Sequence, residues 1–170
     1  MRIRRARPED ASGIAAVHVA AWHEAYRGLF SDAAIASRSL AIREAQWQRQ
    51  LARPEDKAPQ IWVAEEEGRL VGFISAGRCL DQNAAPRLGE VYTLYLEPAQ
   101  IGRGVGRALM DEALQGLRQR GFSEAVLWVL DRNERAQRFY RAAGFEWDGG
   151  ERWEDELEDR HRDLRYHRTL

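Results

Sequence analysis

Apolar positions change period along this chain, and the changes mark its elements. Ile14, Val17, Ala21, Trp22 and Ala25 recur at the three- and four-residue steps of a helix with one buried face. Asp10 or Ser12 stands where it could cap that helix, and Gly28 follows as a stop. Ahead of it, Ile3 lies in a short strand closed by Pro8. Behind it, Ser31 and Asp32 open a helical region with Leu40, Trp47 and Leu51 on one side, ended by Pro54. The period then drops to two. Residues 60–65 and 70–76 are strands, and Glu67-Gly68 between them is a hairpin turn of the kind that takes positive φ. Residues 77–87 read as a loop, and 88–96 as a long strand rich in β-branched and aromatic residues.

The second half alternates. Val105, Leu109, Ala113 and Leu117 fall at four-residue steps, Met110 and Leu114 widen the stripe, and Gly121 ends the helix. Residues 125–130, AVLWVL, form a continuous apolar run, the mark of a strand buried on both faces. Asn133 opens another helix with Ala136, Phe139, Tyr140 and Ala143 inward, and Gly144-Phe145 closes it. The tail carries a strand near 145–147, an acidic stretch at 151–159 read as a solvated loop, and a last strand at 164–168. Hairpins before residue 88 and strand–helix alternation after it predict an α/β (α+β) fold with a mixed, mostly antiparallel central sheet flanked by helices. At 170 residues, without repeat or linker, one domain spanning 1–170 is expected.

Composition narrows the chemistry. The chain is 44% hydrophobic, enough for a full core. Its formal net charge of -1 argues against a nucleic-acid partner held by bulk electrostatics. Lys57 is the one lysine, so nearly all positive charge is arginine, scattered along the chain as solvated surface with a few candidates for phosphate. Cys79 is the one cysteine, which excludes an internal disulfide and is taken as a packed thiol. His18, His23, His161 and His167 lack metal-ligand spacing, so no metal is expected and surface or core roles stand for all four. The charged start MRIRRARPED lacks an apolar core, and no apolar run is long enough for a bilayer. A cytoplasmic protein without a membrane partner is the expectation, with a homodimer left open.

One stretch stands out. Gly102, Gly104 and Gly106 alternate with Arg103 and Val105 where a loop enters a helix. Three glycines there bring backbone N–H groups close to a ligand, and a helix N-terminus favours negative charge. A dinucleotide fingerprint fails because Arg107 and the five residues after the strand break its spacing, and a P-loop fails for want of a lysine.

Together with two further motifs, this loop resembles the GNAT superfamily of acyl-CoA-dependent N-acetyltransferases. Leu94-Tyr95-Leu96 before Glu97-Pro98 is similar to the strand on which that family lays the pantetheine arm, and Ile101 to Arg107 to its pyrophosphate loop. Asn133-x-x-Ala136-x-x-Phe139-Tyr140-x-x-x-Gly144-Phe145 is similar to its late cofactor motif. The likeness covers residues 88–145 in order, and more loosely the front helices with Trp22 and Tyr26. Members usually begin the loop with Gln or Arg. Here Ile101 holds that place, with Gln100 next door as a substitute.

The resemblance implies direct transfer of acetyl from acetyl-CoA to an amine, with a small-molecule amine as acceptor. A protein N-terminus or lysine is the alternative acceptor, and a non-catalytic acyl-CoA-binding module the alternative class. A lysine-like amine has a pKa near 10.4, so only about one in a few thousand is uncharged at neutral pH, a cost of roughly 4–5 kcal/mol. By resemblance Glu90 is the base, direct or through water; otherwise it is a polar residue on a half-buried face. Four residues before Leu94, it shares that residue's face in a regular strand, a parity that a bulge would upset. Tyr140 protonates the leaving thiolate by resemblance, or is a packed aromatic. Asn133 caps its helix, or binds a pantetheine amide by resemblance. The N–H groups of Leu94 and Leu96 would hold pantetheine and the thioester carbonyl. Trp22, Tyr26, Leu29 and Phe30 wall an acceptor pocket or simply pack, and Glu154 and Asp155 could draw a cationic amine.

Overall fold

The structure is a computed structural model that describes every residue except 37–38, 55–57 and 157–158. Strands β1 (Arg2–Arg5), β2 (Gln60–Glu66), β3 (Arg69–Arg78), β4 (Leu88–Leu96), β5 (Glu124–Leu130), β6 (Glu146–Glu156) and β7 (Asp159–Thr169) form one sheet in the order β1-β2-β3-β4-β5-β7-β6. Every neighbouring pair is antiparallel except β4 with β5. The mixed, mostly antiparallel sheet read from the sequence is the one observed.

Helices cover both faces. Along α4 (Val105–Gln119), Leu109, Met110, Ala113, Leu114 and Leu117 bury against Ile74, Val91, Leu127 and Phe145. Gly116 interrupts that stripe because a Cβ there would stand 2.4 Å from the Trp62 ring, so the helix rides close to β2. On the other face α1 (Ala11–Tyr26) and α3 (Leu40–Leu51) pack Ile14, Val17 and Trp47 onto Ile61, Val63 and Phe73. Between them runs α2 (Asp32–Ala36). Last, α5 (Glu134–Ala142) sets Ala136, Phe139 and Tyr140 against the core on the α4 side.

Local chemistry explains where the ends fall. Glu67 and Gly68 have φ of 51° and 77°, the pair of left-handed residues expected between β2 and β3. Gln137 ties α5 down, donating to the carbonyls of Leu130 and Asp131 and accepting from the Tyr166 hydroxyl. Asp10 does not cap α1 with its side chain: Arg4 and the Arg7 N–H hold the carboxylate instead. That pairing, against the cost of burial, leaves the Asp10 pKa lowered. The front helical region is two helices, with residues 37–38 between them outside the described ones. Ser39 caps the second through Ile42 N–H at 3.3 Å. Leu40 is exposed rather than inward.

The largest departure is the tail. Its acidic residues are not a loop but the outer half of the β6–β7 hairpin, paired from Glu151↔Leu164 to Glu156↔Asp159. Asp and Glu are poor strand formers. Here cross-strand contacts compensate: Arg162 reaches Glu151 at 3.4 Å, and the Arg160 guanidinium lies 5.1 Å above the Trp153 ring.

Candidate functional site

Strands β4 and β5 are paired only from Leu88↔Glu124 to Val91↔Leu127 and then part. The V between them opens into a cavity of about 720 Å³. Its walls include Leu94, Tyr95, Leu96, Ile101, Gly102, Gly104, Gly106, Arg107, Asn133 and Tyr140. The three motifs thus meet in one space. A second groove, under α3, touches none of the glycine loop.

The open edge of β4 presents a definite pattern. Glu97 N–H bonds to Val71 O on β3 at 2.9 Å. Strand alternation therefore turns the N–H groups of Leu94 and Leu96 away from β3, into the V. At the mouth, Gly102 and Gly104 have φ of 81° and 84°, and a Cβ on either would meet open space. Backbone, not side chain, faces the cavity there. Gly104 is the N-cap of α4, whose first-turn N–H groups have no intrahelical acceptor. Such a cradle suits a phosphate. Gly106 contributes differently, for its missing side chain lets the helix close on Leu96 and Phe139.

The loop's side chains do less than its backbone. Val105 is buried in the core, and Arg103 lies outside the cavity lining. Arg107 lines the cavity, but its guanidinium is held by Asp111 and the Ala142 carbonyl. Gln100 does not stand in for the missing polar residue: it is buried and donates to Glu66 Oε2 at 2.8 Å. Ile101, 39% exposed, keeps that place as an apolar wall.

Asn133 caps α5, its Oδ1 accepting from Ala136 N–H at 3.1 Å. Tyr140 stands about two turns further along α5, edge-to-face with Phe139 and Phe145. Burial, and then the nearby Tyr95, push its phenol pKa up, so it stays protonated at neutral pH as a hydrogen-bond donor. Tyr26, from α1, is pushed up by burial and by its hydrogen bond with Tyr95. Three phenols, Tyr26, Tyr95 and Tyr140, therefore gather in the wall of the cavity.

Glu90 is placed otherwise than strand parity implied. Ser75 pairs with Thr93 but Ala76 with Val91, leaving one extra residue on β4 at Tyr92. This β-bulge sets Val91 and Leu94, three apart, on the same face, both packed with the α4 core. Glu90 consequently lies on the face opposite Leu94. It is 6% exposed, is absent from the cavity lining, and its Oε2 accepts from Leu80 N–H at 2.9 Å. Burial raises its pKa, while bonds from Leu80 N–H and the Cys79 thiol pull the other way. Burial likewise pushes Cys79 up to about 11, an unreactive thiol as expected of a packed one.

The sign of the Glu90 shift gives a stability prediction. Between the ordinary glutamate pKa and the raised folded one, the folded state holds a proton that the unfolded state has lost. Stability contributed by this group therefore falls as pH rises through that window. Denaturant unfolding over a pH series should show a shallower decline for Glu90→Gln than for wild type. An unchanged slope would mean that the carboxylate does not titrate differently on folding.

The other half of the cavity joins Glu154 and Asp155 from β6, offered by the sequence as a draw for a cationic amine, to residues the sequence did not mark for the site: Trp128 from β5, Arg152 from β6, and His161 and Asp163 from β7, beside Trp22, Tyr26 and Phe30. Arg152 lies over the Trp128 ring at 4.4 Å. No period or motif marks these positions; only the hairpin's register against β5 brings them in. Among the described residues no group of three His, Cys, Asp or Glu could hold a metal, and no helix is long and apolar enough to cross a membrane.

Comparison with known proteins points the same way. The model of the acetyltransferase (GNAT) family matches residues 19–145. An uncharacterized N-acetyltransferase of Archaeoglobus fulgidus is 34% identical over 145 residues, covering 82% of this chain and 89% of its own. A mycothiol acetyltransferase of Propionibacterium freudenreichii is 40% identical over 90 residues, 53% of this chain but only 28% of that longer protein. Among solved structures, the PaiA N-acetyltransferase of Thermoplasma acidophilum in complex with coenzyme A superposes with a TM-score of 0.81 at 21% identity, covering 99% of this chain and 98% of that one.

Proposed function

The chain belongs to the GNAT family of acetyltransferases, and on that premise we propose that it moves the acetyl group of acetyl-CoA to the primary amine of a small, cationic acceptor. The observation that carries this reading is the V between β4 and β5, where the left-handed glycine loop, the free N–H groups of Leu94 and Leu96 and the Tyr140 phenol share one cavity.

Each part has a job in the transfer. The loop backbone and the N-terminus of α4 take the pyrophosphate, and the open edge of β4 takes the pantetheine arm. The amine nitrogen attacks the thioester carbon, and the oxyanion that forms meets fixed N–H dipoles at the edge of the bulged strand. As the carbon–sulfur bond breaks, Tyr140 gives its proton to the thiolate. The amine's own proton leaves on the acceptor side, away from Glu90, which does not line the cavity.

The acceptor's charge follows from the rim. Glu24, Glu154, Asp155 and Asp163 line the cavity with three arginines, Arg107, Arg135 and Arg152, of which Arg152 stands on the hairpin beside the acids. Arg152 is itself bonded to Asp163 at 3.2 Å and paired with Glu154 at 3.3 Å. A negative mouth raises the local concentration of a cation. Reversing Glu154 and Asp155 to lysine should raise KM for a cationic amine several-fold, with kcat and the KM for acetyl-CoA little changed. If the amine KM does not rise, the mouth plays no part in recognition. For the cofactor, acetyl-CoA should raise the melting temperature where NAD and ATP do not; equal shifts with all three would undo the assignment.

A further inference from the structure

The groove under α3 has a volume of about 1000 Å³ and no part in the transfer scheme. It shares Tyr92 and Thr93 with the cavity of the V and none of the glycine loop. Its polar lining is partly bonded already: the Ser75 and Thr93 hydroxyls bond each other at 2.6 Å, and Trp47 Nε1 donates to His18 Nδ1 at 3.2 Å. Trp47, Pro59, Leu80, Pro86 and Phe122 make apolar walls, and Leu80 is 73% exposed.

The charge of this groove is one-sided. Arg43, Arg53, Arg78 and Arg120 line it, and among the described lining residues there is no Asp or Glu. Over the whole chain 26 basic residues face 27 acidic ones, so the imbalance is local. Arg53, Arg78 and Arg120 are exposed. Arg43 and Arg53 donate to Gln46 and Gln50, and Arg120 to the Ala58 carbonyl at 3.4 Å. Neither Arg78 nor Arg120 has a carboxylate partner among the described residues. Both lie about Tyr92, whose hydroxyl donates to the Arg78 carbonyl. Burial, and then Glu90 and Cys79, push the Tyr92 phenol up to about 12 against the pull of the Arg120 and Arg53 charges. Guanidinium forks match the paired oxygens of a carboxylate or phosphate, and concave walls focus their field. Apolar walls around a few polar groups suit an organic body.

We propose that this groove is a second binding site, for a small organic anion whose carboxylate or phosphate is taken by Arg78 and Arg120 and whose apolar body packs on Trp47, Pro59 and Phe122. The site is independent of the acetyl-transfer reading, since neither the glycine loop nor α5 contributes to it.

The test is calorimetric titration of the full chain with 1-naphthyl phosphate and 1-naphthoate, with CoA in excess to fill the glycine cradle. Neutral 1-naphthamide and inorganic phosphate are the comparisons, one lacking the charge and the other the apolar body. At least one naphthyl anion should bind at a single site, about 10-fold or more tightly than either comparison, and less tightly as salt is added. The tighter of the two tells a phosphate ester from a carboxylate. Replacing Arg78 and Arg120 together by Gln should weaken binding by about 10-fold or more. Arg49→Gln, on α3 but outside the lining, should keep it. Leu80→Asp puts a carboxylate on an exposed part of the wall and should also weaken binding, which decides the matter if the double variant does not fold. No binding of either anion overturns the proposal, as does wild-type affinity in Leu80→Asp or in a folded double variant. Binding of 1-naphthamide as tight as that of the anions, or an equal loss in Arg49→Gln, overturns it too. Each of those failures leaves acetyl transfer standing, because amine-dependent thiol release is read separately.

Discussion

Replacing Tyr140 by phenylalanine should lower kcat by about 10²-fold and leave the affinity for CoA nearly unchanged. The substitution removes one oxygen and keeps the ring, so the contacts with Phe139 and Phe145 survive and the fold loses little. On the proposed scheme, what is lost is the proton for sulfur. Burial holds the Tyr140 phenol protonated at neutral pH, which makes it a donor throughout the working range. A thiolate leaves more readily than an alkoxide, which places the effect toward the lower end of general-acid contributions. Steady-state kinetics over acetyl-CoA and amine separates the cases. A fall in kcat at constant KM supports the acid role; a rise in KM alone would make Tyr140 a packing residue of the pantetheine wall.

Gly104→Val should weaken CoA binding by about 10- to 100-fold. The backbone there has φ of 84° at the cap of α4, where a non-glycine residue costs about 1–3 kcal/mol. Valine is among the worst candidates because its branched Cβ crowds the left-handed region. The chain escapes by shifting the loop, and the first-turn N–H groups lose their convergence on the phosphates. Each 1.4 kcal/mol of that loss is tenfold in Kd, which sets the range given. Calorimetric titration with CoA reads it directly, and an unchanged Kd would show that the pyrophosphate lies elsewhere.

Legibility followed locality. The glycine loop, the strand before it and the Asn133 helix were readable because each is specified by a few adjacent residues whose backbone needs are peculiar: positive φ at Gly102 and Gly104, a side-chain cap at Asn133. The acceptor half was not. Trp128, Arg152, His161 and Asp163 meet through the pairing of β5 with β7 and of β7 with β6, and nothing within any one segment announces that register. The acidic tail reads as a loop since carboxylates disfavour strands, while Arg162, which pairs with Glu151, sits across the hairpin. Tyr92 hides a bulge for a similar reason. With no glycine or proline beside Tyr92 to mark it, residues 88–96 read as a regular strand, and the regular-strand parity, which a bulge upsets, puts Glu90 on the wrong face. Gln100 was judged by its neighbours in sequence, whereas its side chain is committed to Glu66, 34 residues away.

All of this converges on transfer through one cavity rather than storage of a ligand in it. Wild-type protein with acetyl-CoA and a panel of small cationic amines, followed by thiol release and by the mass of the amine, tests that most directly. The account predicts amine-dependent release of CoA, with one acetylated amine formed for each thiol freed. Tight binding of acetyl-CoA with no release above the amine-free rate for any amine would contradict it and leave a binding module of the same fold.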